Sequence, residues 1–67
     1  MNPASLIHTS VDDAKSTLEC ALSRSPEDVL RYIADAFVLL NKLGYQETSR
    51  RKVFATIARK ALKELTA

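Results

Sequence analysis

Four consecutive residues, Ser25-Pro26-Glu27-Asp28, constrain this chain most, because they mark the start of a helix in three separate ways. Serine is a favoured N-cap, and proline at the first helical position has a suitable φ and lacks only an N–H that would go unbonded there. The two carboxylates fall in the first turn, where the backbone dipoles are positive. A helix that begins there runs through Leu43 and stops at Gly44, the residue type that takes the left-handed C-cap conformation without steric cost.

Two further segments flank it. Ser10-Val11-Asp12-Asp13 offers a capping hydroxyl and first-turn acids, after which Val11, Ala14, Leu18, Ala21 and Leu22 recur at spacings of three and four. On the other side a helix starts near Thr48 or Ser49, with Val53, Phe54, Ile57, Ala58, Ala61, Leu62 and Leu65 as its apolar face. Alternating strand patterns and Asn-Gly or Asp-Gly hairpin turns are absent. The sequence therefore predicts an all-α fold, a small antiparallel three-helix bundle with helices at roughly 10–24, 26–43 and 48–66. Residues 1–9, which contain Pro3, read as an N-terminal tail with Leu6 and Ile7 available to pack, and residues 10–67 as a single domain.

A 67-residue domain has a thin stability margin, and small domains commonly add a disulfide, a metal or a partner subunit. The lone Cys20 excludes an intrachain disulfide, and His8 with Cys20 makes no zinc-ligand spacing. No metal and no cofactor is expected. What remains is well-formed helix packing or self-association as a homodimer. No run approaches the roughly 18 apolar residues of a membrane span, and Met1 to Ser10 lacks the pattern of a secretory signal. A free thiol suits a reducing compartment, so the expected location is the cytoplasm, with no membrane partner.

The net charge of +2 hides an asymmetry: residues 1–47 carry four bases against seven acids, and residues 48–67 six bases against Glu64 alone. Within the last helix Lys52, Thr56, Arg59 and Lys63 follow one another at helical spacing, and Arg50 and Arg51 extend the basic stretch toward its start. Arg50, Arg51, Lys52, Arg59 and Lys63 are thus candidate contacts for an acidic protein surface or a polyanion. The ordinary alternative is a solvated face, since an exposed helix side has to be polar.

The middle helix is apolar around more than half its circumference, so Tyr32, Val38 and Leu39 are the residues left over once two neighbours are packed, and they mark a candidate apolar interface. Its order with the turn at Gly44-Tyr45-Gln46-Glu47 and the basic helix is that of a helix-turn-helix. The details run against that motif: Leu40 stands where a small residue is usual, and aligning Gly44 as the turn glycine puts Arg50 where an apolar residue should pack.

Nothing in the chain has the form of a catalytic site. Asp12-Asp13 and Glu27-Asp28 sit where helix N-termini favour negative charge, His8 stands alone, Cys20 lacks a resolving cysteine, and no phosphate-binding glycine loop occurs. The chain is expected not to be an enzyme and to take no small-molecule substrate. The leading expectation is a small protein-protein interaction module, a regulator, inhibitor or assembly subunit that binds an acidic or apolar protein surface. The alternative is a small dimeric DNA- or RNA-binding regulator that uses the basic face of the last helix.

Overall fold

The computed structural model describes residues 2–66, and the regular structure among them is entirely helical. There are four helices: α1 Pro3–His8, α2 Val11–Leu22, α3 Pro26–Lys42 and α4 Thr48–Thr66. The three long helices lie where periodicity and caps place them. The bundle nevertheless has one helix more than expected, because residues 3–8 are α1 and not a tail.

Local chemistry explains each boundary. Asn2 is the N-cap of α1, its Oδ1 accepting the Ala4 N–H at 3.0 Å, and Pro3 takes the first helical position. Six residues are too few for a helical period to show, yet they bury Leu6 and Ile7. Ser10 caps α2 by accepting the Asp13 N–H at 3.1 Å. Ser25 occupies the N-cap position of α3 without a side-chain hydrogen bond to it, so Pro26 and the acids at 27 and 28 carry that start.

At the other end of α3 the chain closes in a Schellman turn, with the Gly44 N–H donating to Asn41 O at 3.2 Å and the Tyr45 N–H to Leu40 O at 3.0 Å. Gly44 has φ +74°, and a Cβ there would have no atom within 4 Å. The demand for glycine is therefore conformational; a residue with a Cβ would cost about 1–2 kcal/mol.

Among the described residues the core contains eleven buried apolar side chains drawn from all four helices, with Leu18, Val29, Ala36, Leu40, Phe54 and Ala61 fully enclosed. The Phe37 and Phe54 rings meet edge to face, centroids 6.0 Å apart, which joins α3 to α4. α3 packs on each of the other helices, α2 packs on α4, and α1 lies against α2 and α3. Three leucines expected to be apolar contacts remain about half exposed, Leu43 at 50%, Leu62 at 52% and Leu65 at 47%. Leu43 is the C-cap of α3, and Leu62 and Leu65 lie in the last two turns of α4.

No Cα of α1 comes within 8 Å of one in α4 among the described residues. Arg50 spans that gap. Its side chain is 7% exposed, its Nη1 donates to Leu6 O, its Nη2 to Thr9 O at 2.7 Å, and its Nε to Glu47 Oε2 at 3.0 Å. Those two carbonyls belong to the last turn and C-cap of α1, whose helical partners have run out. The guanidinium supplies the missing donors together with a positive charge at the negative helix end. Replacing Arg50 with Ala strips several charge-assisted bonds at once, so a loss of about 3 kcal/mol is expected. Arg59→Ala on the exposed side of the same helix should stay within about 0.5 kcal/mol of wild type; urea denaturation followed by circular dichroism compares the two.

Candidate functional site

The basic cluster of residues 50–63 divides into two kinds of cation once α4 is placed. Arg50 belongs to the interior and is removed from the candidate contact set by burial. Arg51 is half-buried and also occupied: its Nη2 donates to Tyr45 O at 2.7 Å and to Asn41 Oδ1 at 3.0 Å, and its Cζ lies 5.9 Å from the Phe37 ring centroid. It fastens the turn after α3 to the start of α4, partly through a cation–π contact.

Lys52, Arg59 and Lys63 are exposed on the outer side of α4, and exposed Lys60 joins them on the side toward α2. From Lys52 to Lys63 the row extends roughly 16 Å along the helix axis. Thr56, between them, turns its hydroxyl back to the Lys52 carbonyl at 2.9 Å. None of the four cations has a carboxylate within 4.0 Å among the described residues, whereas Lys15 pairs with Glu19, Arg31 with Glu27 and Asp28, and Arg50 with Glu47. The cations on α4 that the fold does not use are therefore neighbours on a single helix. Exposed Arg24 and Lys42 are also unpaired there, but they stand apart at the ends of α2 and α3.

Between α2 and α4 lies a cleft of about 200 Å³. Half-buried Val53 and buried Ile57 form its floor, Lys52, Thr56 and Lys60 line the α4 side, and Lys15 and Glu19 line the α2 side. Lys15 and Glu19 form an exposed i,i+4 pair at 3.9 Å, a contact worth a few tenths of a kcal/mol.

The candidate apolar interface is not assembled. Val38 is 64% exposed on the outer side of α3, near Arg31, Asp35 and Lys42, but Tyr32 and Leu39 are half-buried and pack against the core. The other exposed large apolar residues among those described lie at opposite ends of α4, with Leu43 and Tyr45 before its start and Leu62 and Leu65 near its finish. α3 touches three helices where the sequence allowed for two, and this covers much of its apolar circumference.

Cys20 is a free, exposed thiol and His8 ends α1 at the surface. Among the described residues no group of three or more His, Cys, Asp or Glu could hold a metal ion, and no helix is long and apolar enough to cross a membrane. In comparisons with known proteins, no family model, no curated protein and no solved structure matches this chain.

Arg51 and the outer cations should separate experimentally. Arg51→Ala is expected to cost about 1 kcal/mol through the loss of its bonds to the α3–α4 turn. Charge reversal at Lys52, Arg59 or Lys63 singly should change stability by no more than about 0.5 kcal/mol. Thermal unfolding of the four variants measures both expectations.

Proposed function

We propose that this chain is a non-catalytic protein-binding module that docks the outer face of α4 on an acidic surface of another protein, as a regulator, inhibitor or assembly subunit. The observation that carries the reading is the row of exposed cations at 52, 59, 60 and 63 without carboxylate partners among the described residues, on a fold whose other α4 arginines are committed internally. An acidic partner would pair these groups, steer the encounter and fix its register. Arg59 is the strongest anchor of the set, because a guanidinium can hold a carboxylate through two parallel bonds.

The reading takes the long helices as antiparallel neighbours, supported for α3 and α4 by two contacts: Arg51, at the start of α4, meets the end of α3, and Leu65, near the finish of α4, lines a cleft with Pro26 at the start of α3. α4 packs on α2 and α3, and its opposite side carries the exposed cations. The exposed thiol of Cys20 suits a reducing compartment such as the cytoplasm.

The test is capture from native lysate at two salt concentrations, with and without nuclease, using wild type and the triple variant Lys52→Glu, Arg59→Glu, Lys63→Glu. The expected result is a specific, nuclease-resistant protein whose recovery falls about tenfold or more in the variant. Captured nucleic acid, lost with nuclease and weakened steeply between about 50 and 200 mM salt, would replace the reading with the phosphate-binding one. A protein partner retained equally by the variant would overturn the assignment of α4.

A further inference from the structure

The cleft between α2 and α4 gives the proposed acidic partner a more definite form. A flat basic face attracts any anion, but this cleft combines charge with an apolar floor: three ammonium groups, from Lys15, Lys52 and Lys60, stand around Val53 and Ile57, opposed by the carboxylate of Glu19 alone. Lys52 and Lys60 are eight residues apart on α4, which separates their Cα positions by roughly 12 Å along the axis.

On a second helix, carboxylates seven residues apart are separated by about 10.5 Å, and a residue four after the first lies between them on the same face. Lysine stems are long enough to absorb the difference. We infer that the cleft seats an acidic amphipathic helix of the partner protein, with one apolar side chain over the floor between Val53 and Ile57 and flanking carboxylates at Lys52 and Lys60. Lys15 is expected to turn from Glu19 toward the incoming acid, because its present pair is exposed and weak. A phosphate backbone has no use for the apolar floor. This inference rests on the reading of α4 as a face for an acidic protein.

The experiment titrates the full chain, isotope-labelled for amide NMR, with two synthetic alanine-based helical peptides of about 16 residues, a length that sustains a helix in water. One carries Glu, Leu and Glu at positions i, i+4 and i+7. The other carries Ser in place of the Leu at the same charge. The expected result is that the leucine peptide binds at least about tenfold more tightly, with shifts concentrated at Lys15, Glu19 and residues 52–60. Lys60→Glu should weaken it about tenfold, whereas Arg24→Glu, exposed past the end of α2 and outside the cleft, should change it less than about twofold.

Equal binding of the two peptides, with shifts spread evenly along Arg59 and Lys63, would overturn the cleft as the seat while leaving the basic-face reading standing. Absence of shifts with either peptide would also overturn the cleft, and the lysate capture then decides the broader reading by itself. Tighter binding of a short RNA oligomer than of the leucine peptide at the same amides would overturn both.

Discussion

The buried guanidinium of Arg50 is the contact on which the arrangement of the four helices depends. A six-residue helix has almost no stability of its own, since its few internal bonds barely repay nucleation. α1 nevertheless supplies Leu6 and Ile7, two of the eleven buried apolar residues, so the core requires it to stay docked. Apolar packing on α2 and α3 holds one side of it, and its terminal carbonyls are held from α4 by a single side chain. Burying a cation is costly unless it is paired and hydrogen-bonded. Here Nε, Nη1 and Nη2 each have an acceptor, and no buried side-chain nitrogen or oxygen among the described residues lacks a partner.

This internal use of arginine also sorts the functional candidates. One basic stretch of sequence contains an arginine that clamps α1, an arginine that ties the Schellman turn to α4, and a row of cations with no carboxylate partner among the described residues. The proposed binding role belongs to the last group alone. A variant of Arg50 or Arg51 that lost a partner would report on folding as much as on recognition, whereas Lys52, Arg59 and Lys63 can be changed with the bundle intact.

The long helices were legible because each carries several agreeing signals: Ser10 with its acids, Ser25-Pro26 with its acids, and Gly44 at a true positive φ. α1 was not, because two apolar residues in six make no stripe. Its start did carry a signal, since Asn2-Pro3 repeats the cap-then-proline order of Ser25-Pro26. Arg50 was read as surface from its charge, although its helical position shares the side of α4 that bears Phe54, Ile57 and Ala61. Aligning Gly44 as the turn glycine of a helix-turn-helix likewise puts residue 50 at a packing position. Periodicity was the better guide there, and charge misled because an arginine can be buried when backbone carbonyls await it. Tyr32 and Leu39 pack more closely than a two-neighbour helix allows, because α3 gains a third neighbour once α1 is a helix.

The most direct test observes the arginine side chains themselves, by measuring how fast the Nε–H protons of Arg50 and Arg59 exchange with water in one NMR sample of the unmodified protein. If Arg50 is the clamp between α4 and α1 and Arg59 is a free surface cation, the Arg50 proton should exchange at least about a hundredfold more slowly and show contacts to Glu47 and to the end of α1. Exchange of Arg50 as fast as that of Arg59 would contradict both the clamp and the division of the basic helix built on it.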